Sequence, residues 1–465
     1  MPLSPESLLQ LLQKHIKNPT KIKQIHSILT TLGDLTSTHN RSLNKWTPTL
    51  FYNTLLRSYV NINPMHTLHL FKHMHAQNVP INSHTFPSVT KALNETLFGY
   101  PFGSIVYGQC VKRGVLADPF VQTGFVGLFA KNGCVWDACK VFDEMFDPCL
   151  VACNAMLDGF CRNGEMSEGC KLFEQMEVRD VYTWTSVVNG FGKVGCYEDV
   201  VWFFRRMVVE KCRPNEATFV SVISACGNCG GVGGLLNGKE IHGYVVKNEG
   251  WISAFVGTAL ISFYGNMGGL VYAMNVFRGM VHKEVCTWNA MIGALASNGK
   301  QKEALDMFDE MKSEGWRPNE VTFVAVLSAC ARAKFISTGL EIFDSMLTKF
   351  GVTPLMEHYG CVVDLLGRAG FLEEAKAFIK RMPFEPDVSV LGALLGACKL
   401  HRDIELGNEV ANRIRELQPQ LCGQYVLLSS INAEAEKWDN ARSLRNVMVD
   451  AGIQKPPAYS MVKAM

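Results

Sequence analysis

Three short strings in this 465-residue chain have the residue types and spacing of reacting sites. His401–Asn408 reads HRDIELGN, the letters of a protein-kinase catalytic loop, in which the Asp accepts a proton from the attacking hydroxyl and the Asn holds a metal ion. Gly233–Glu240 reads GGLLNGKE, the glycine and lysine spacing of a phosphate-cradling loop, with Glu240 where a Ser or Thr hydroxyl should meet Mg²⁺. Cys226 and Cys229 have the C-x-x-C spacing of half a zinc site. None has the company its chemistry needs. No glycine-rich strand loop, DFG or APE goes with the first, and no strand pattern leads into the second. No further Cys or His pair follows the third at ligand distance. These residues also hold no H-x-E matched by a P-C-x-x-C, the set with which zinc deaminases attack a nucleobase. The chain therefore reads as a non-enzyme with no catalytic residue, no metal ligand and no cofactor.

The elements around these strings account for them. A Phe-x-x-Met or closely similar segment recurs, ending at Met74, Met145, Met176, Met207, Met280, Met311, Met346 and Met382. Two longer gaps are filled by Gly103–Lys112 (GSIVYGQCVK) and Gly238–Lys247 (GKEIHGYVVK), which align with each other, and Gly238 is expected to open a second helix. The resulting units are 31 to 38 residues long, which marks a tandem array. Within 285–319, Trp288, Met291, Ile292 and Leu295 fall at i, i+3, i+4 and i+7, the stripe of an amphipathic helix. Asn298-Gly299 breaks it, and Ala304, Leu305, Phe308 and Met311 form a second stripe. Pro318-Asn319 closes the unit, as Pro214-Asn215 and Pro386-Asp387 do elsewhere, because proline cannot continue a helix. Neither helix can bury its stripe alone, so neighbouring hairpins must stack. The pattern predicts an all-α fold, a right-handed superhelical solenoid of tandem helix-turn-helix repeats. Cys226, Cys330 and Cys398 share the eleventh place of their units, which suits a small apolar residue at a tight helix contact better than a ligand. Trp184 and Trp288 open apolar stripes and read as core.

Composition agrees. A hydrophobic fraction of 48% with 19% charged residues excludes wholesale disorder. Lys plus Arg number 45 against 43 Asp plus Glu, so the net +2 excludes a partner held by bulk charge alone. No apolar run approaches the roughly 18–20 residues that cross a bilayer, so no membrane partner is expected. Sixteen Cys without a secretory signal read as reduced thiols. Residues 1–45 carry six Lys and Arg against Glu6 and Asp34, with scattered hydroxyls, the composition of an organelle transit peptide. Lys21–Leu32 reads equally as a degenerate first helix of the array.

Trp288–Asn319 (WNAMIGALASNGKQKEALDMFDEMKSEGWRPN) resembles a pentatricopeptide repeat, and the alternating unit lengths resemble the plant PLS subclass of that family. Glu357–Asp387 is similar to that subclass's final S-type repeat. Leu391–Ile414 and Gly423–Lys455 are similar to its two E-type motifs. The resemblance implies a repeat array over 49–387, E-type motifs over 388–455 and a truncated extension over 456–465. It further implies sequence-specific binding of single-stranded RNA in an organelle, the mitochondrion or alternatively the plastid. Site recognition for C-to-U editing would follow, with the deaminase supplied by another protein among other editing factors. Two other readings stay open: a helical scaffold that binds proteins, and an RNA-binding factor for splicing, stability or translation.

In the resembled family the fifth and last residues of a repeat meet the Watson–Crick edge of one unpaired base, and the second residue packs between bases. Carried over, Asn53 with Asn82 implies a pyrimidine, Asn154 with Asp180 implies U, Thr185 with Asn215 implies A, and Asn289 with Asn319 implies a pyrimidine. Leu50, Val151, Tyr182 and Cys286 are the corresponding stacking residues. Weaker pairs are Thr123 with Cys149 and Thr258 with Glu284, and Asp387 stands opposite Gly360. Pro87 with Asp118, Val220 with Ser253 and Val324 with Leu355 offer no such edge. A single Asn or Thr near a helix start is more simply a cap. Four readable pairs in one register are expected to face a shared inner groove.

Overall fold

Each apolar stripe becomes a helix, and each Asn-Gly or Pro-Asn break becomes the turn beside it. The computed structural model describes residues 5–32, 35, 48–96 and 99–454, and all its regular structure is helical: 26 helices and no strand among the described residues. Contacts divide the chain into two units, residues 1–225 and 226–465.

In the first unit, helix pairs run Pro5–Lys14 with Pro19–Leu32, Pro48–Tyr59 with Pro64–Ala76, Phe86–Asn94 with Gly99–Lys112, and Pro119–Lys131 with Val135–Asp143. Leu150–Arg162 with Met166–Gln175 and Val181–Val194 with Tyr197–Val209 follow. The segment read either as a transit peptide or as a degenerate first helix thus holds two helices in its described part. Leu8, Leu12, Ile22, Ile25 and Leu29 are buried in one core with Tyr52, Leu55 and Tyr59 of the next hairpin. Residues 1–4, 33–34 and 36–45 of that segment lie outside the described residues, as does the 456–465 extension.

In the second unit the pairs are Ala254–Asn266 with Leu270–Gly279, Val285–Ser297 with Gln301–Ser313, Glu320–Ala333 with Ile336–Thr348, and Met356–Ala369 with Leu372–Lys380. Val388–His401 with Ile404–Leu417 and Cys422–Glu434 with Trp438–Asp450 complete it. The helix Glu216–Cys229 spans the division between units, and Gly231–Asn248 follows it. Gly233 to Glu240 therefore lies wholly inside a helix, and Gly238 sits in its middle instead of opening it. Glycine is required there by contact: a Cβ on Gly238 would lie 2.1 Å from the Phe263 ring, and one on Gly234 would lie 2.5 Å from the Cys226 carbonyl. His401–Asn408 joins two helices, with Asp403 capping Ile404–Leu417 through a bond from Leu406 N–H (3.0 Å).

Two recurring contacts set the stacking. The first helices of neighbouring repeats approach closely where a glycine meets an alanine. Added Cβ atoms on Gly159, Gly265 and Gly367 would each lie 2.6 Å from the Cβ of Ala130, Ala294 and Ala397. Beside two of these contacts an amide crosses between repeats: Asn163 Nδ2 donates to Ala130 O (2.9 Å) and Asn298 Nδ2 to Gly265 O (2.8 Å). The eleventh-place cysteines are buried, and Cys330 and Cys398 pack on Gly339 and Gly407 of the paired second helix. Burial pushes their thiols up, Cys330 to about 11 and Cys398 to about 12. Trp184 and Trp288 are core residues, each taking a Phe of the preceding Phe-x-x-Met segment edge-on at 4.8 Å (Phe173 and Phe277).

Candidate nucleic-acid interface

A helix leaves its first backbone N–H groups without partners, and Asp, Asn, Ser and Thr are the side chains best able to accept from them. In most repeats the last residue sits where that need arises, one place before the next first helix. Asp180 and Asn319 cap Val181–Val194 and Glu320–Ala333, accepting from Thr183 N–H (2.9 Å) and Thr322 N–H (3.1 Å). Asn215 accepts from Thr218 N–H (2.8 Å) in the same way. Asp118 and Asp387 are also caps. So most of the last residues are caps, as the simpler reading had it; Asn82 is an exception, since Phe86–Asn94 starts four residues later and Thr85 stands at its N-cap.

The fifth residues are not caps. They are hydrogen-bonded to the last residues. Asn154 Nδ2 donates to Asp180 Oδ1 (3.2 Å), Asn289 Nδ2 to Asn319 Oδ1 (3.1 Å), and Asn53 Nδ2 to Asn82 Oδ1 (3.0 Å). The hydroxyl of the third residue of the following repeat closes each triangle. Thr183 donates to Asn154 Oδ1 (2.7 Å), Thr322 to Asn289 Oδ1 (2.6 Å) and Thr85 to Asn53 Oδ1 (2.8 Å). In the fourth pair Thr185 donates to Val181 O (2.7 Å) and its hydroxyl lies 2.8 Å from that of Thr218, which also contacts Asn215 Oδ1 (2.9 Å). Thr185 and Asn215 are therefore linked through Thr218.

This differs from an open groove. Asn154, Thr185 and Asn289 are only 6%, 8% and 8% exposed, and Asn53 is half-buried. The cause is the overlying threonine, which comes from 29 to 33 residues downstream and could not be placed from one repeat alone. The side chains lie on a polar seam between first helices. Each Asn amide gives one Nδ2 hydrogen to the last residue of its repeat, and the second has no partner among the described residues. Thr85, Thr183, Thr218 and Thr322 were not selected from sequence, although a Thr two places before the fifth residue recurs in the repeats beginning 181, 216, 285 and 320.

Beside the seam stands a row of apolar second residues. Leu50, Val151 (66%) and Tyr182 (51%) are exposed, and Cys286 is half-buried. Phe120 (77%), Phe255 and Val321 occupy the same place in units not credited with stacking, and they are exposed too. The weaker pairs are less well assembled. Thr123 donates to Pro119 O (2.7 Å) and to no other group among the described residues, and Cys149 is an exposed cap residue without a side-chain cap bond. Thr258 donates to Ala254 O (2.6 Å) and lies 3.2 Å from Thr287 Oγ1, while Glu284 is exposed and gives its N–H to that threonine (3.3 Å).

The cap chemistry fixes charge. Burial alone would raise the Asp180 carboxyl, but bonds from the Thr183 backbone and hydroxyl and from Asn154 outweigh it and hold it below the ordinary carboxylate range. Asp180 is thus an acceptor at neutral pH, whereas Asn319 and Asn82 at the same place also carry donor hydrogens.

Known proteins resemble this chain along most of its length. The PPR repeat family matches residues 148–181, 179–228 and 283–332, and the PPR repeat matches 123–147, 321–349 and 357–385. The E motif matches 401–463. A putative pentatricopeptide repeat-containing protein of Arabidopsis thaliana is 47% identical over 464 residues, covering 99% of this chain and 98% of that protein. A second putative one, named chloroplastic, is 44% identical over 358 residues, covering 77% of this chain and 65% of that protein. The crystal structure of the maize pentatricopeptide repeat protein PPR10 superposes with a TM-score of 0.54 at 17% identity, over 96% of this chain and 74% of that one.

Proposed function

The chain belongs to the pentatricopeptide repeat family, and on that premise we propose that it is a sequence-reading binder of single-stranded organellar RNA. It is of the PLS type, acting as a site-recognition factor for C-to-U editing in the mitochondrion or plastid. Residues 49–387 select the site. The E-type motifs over 388–455 position or recruit a deaminase borne by another protein.

One observation carries this reading: the same three-residue network recurs at one register, flanked by exposed apolar second residues. A base sliding between Val151 and Tyr182 meets the free Nδ2 hydrogen of Asn154 and the Asp180 carboxylate on one edge. Uracil offers a carbonyl oxygen and N3–H there. Next to it, the Thr185, Thr218 and Asn215 cluster meets adenine. Asn289 with Asn319, and Asn53 with Asn82, offer donors in place of the carboxylate, which suits cytosine N3. Stacking on aromatic platforms adds about 1–3 kcal/mol per base.

The test is fluorescence anisotropy of the full chain with a short RNA bearing C, U, A and a pyrimidine at the matching positions. The matched RNA should bind tightly, and Asn154→Ala or Thr185→Ala should weaken it. Equal binding of a scrambled RNA would remove the reading. The exposed Phe146 and Val178, just after second helices of the first unit, and Val209, at the end of another, favour a rival reading as a protein scaffold. In that case substitutions at fifth and last positions leave every partner bound.

A further inference from the structure

Charge is unevenly shared along the chain. Residues 1–95 carry nine Lys and Arg and eight of the twelve His, against Glu6, Asp34 and Glu95. The remainder carries 36 Lys and Arg against 40 Asp and Glu. Such asymmetry points to an anionic partner at the basic end, and the fold gathers part of the excess in one place. A cavity of about 660 Å³ in the first unit is lined by Lys23, His26 and Ser27 of the helix Pro19–Leu32 and by Tyr59, Asn63 and His66 of the next hairpin. Among the described residues no carboxylate lines it. The His26 and His66 rings are 5.7 Å apart, His66 is 4.4 Å from the Tyr59 ring, and His26 Nδ1 lies 3.3 Å from Tyr59 Oη.

We propose that this cavity, bordered by the repeat that carries Asn53, holds a phosphodiester of the bound RNA. Lys23 supplies the fixed positive charge, His26 and His66 supply ring N–H donors, and the Ser27 hydroxyl and Asn63 amide supply uncharged ones. Burial first, then repulsion from His66 and His73, holds His26 below its ordinary value. Burial, His69 and Lys23 do the same to His66. An incoming anion is attracted by Lys23 and offsets the burial and repulsion that keep the two rings from taking up protons. The inference rests on RNA being the ligand. It assigns the sequence-independent part of the binding to this end, where the near-neutral charge of the whole chain would not.

The experiment uses the full chain and measures RNA affinity against salt for wild type, Lys23→Gln and His26→Gln/His66→Gln, with circular dichroism as the folding control. Lys23 is exposed, so its variant is expected to fold. Each lost phosphate contact should make the slope of log K against log [salt] shallower by about 0.7. Affinity should fall alike for matched and scrambled RNA, leaving their ratio unchanged. Asn154→Ala should do the reverse, lowering the ratio and sparing the slope. Titration with inorganic phosphate alone, followed by the ring resonances of His26 and His66, should saturate in wild type and weaken in Lys23→Gln. An unchanged salt slope in both variants overturns the proposal, even where inorganic phosphate saturates, because the cavity would then serve a small phosphate compound. Non-saturating phosphate shifts overturn it as well. Sequence-blind RNA binding with a slope that still depends on Lys23 would sink base readout and leave the phosphate site standing.

Discussion

Thr183→Val keeps the shape of the third residue and deletes only its hydroxyl. That hydroxyl lies 2.7 Å from Asn154 Oδ1 and 2.9 Å from Asp180 Oδ1, and accepts the Asp180 N–H at 3.2 Å. Two bonds at about 0.5–1.5 kcal/mol each are lost, and Asn154 Oδ1 is left nearly buried without its donor, at a cost of about 1–3 kcal/mol. Some of these contributions overlap, so a destabilisation of about 2 kcal/mol is expected. The change also frees the Asn154 amide to turn over, which exchanges its oxygen and nitrogen at the seam. A double-mutant cycle of Thr183→Val with Asn154→Ala, read by urea unfolding, should give a coupling of about 1 kcal/mol. In RNA binding, Thr183→Val should lower the preference for U over other bases at that position, and Thr183→Ser should restore it. Additivity within about 0.3 kcal/mol, or an unchanged base preference, would refute the clamp.

Stability should fall on acidification. His26, His66 and His242 are all held below their ordinary value, burial being the first cause for each. The unfolded chain therefore binds protons first as pH drops through about 6.5, and the thermal midpoint should decline from there; His26→Gln/His66→Gln should flatten the decline, and a midpoint rising with acid would contradict it. Gly265→Ala should cost about 1–3 kcal/mol by overpacking against Ala294, measured by urea unfolding, with partial rescue by Ala294→Gly. Phe120→Ser and Tyr182→Ser, both at exposed positions, should leave the unfolding midpoint within about 0.5 kcal/mol while weakening RNA binding by about 1–3 kcal/mol per stacked base.

Helix period and repeat length were legible because every unit writes the same stripe, and the Trp184 and Trp288 cores followed from it. The pairing of fifth with last residues was legible only as a register. That Asn154 reaches Asp180 depends on a turn of the chain between them. That Thr183 then covers both depends on the next hairpin docking, a contact no single unit encodes. The start of the helix at Gly231 was missed because a glycine-rich string reads as a break. Its glycines instead let the helix lie against Phe263 and the Cys226 carbonyl. Phe120 and Phe255 were passed over because their partners at fifth and last positions looked weak, although their own exposure does not depend on those partners.

The central claim is that a cap residue and a fifth-place amide together choose a base. Asp180→Asn tests it most directly, since Asn82 and Asn319 already fill the equivalent place and the cap bond survives the change. Measured against RNAs differing only at the matching nucleotide, the variant should shift its preference from U to C with little change in stability. Retention of the wild-type preference, or none in either protein, would contradict the account.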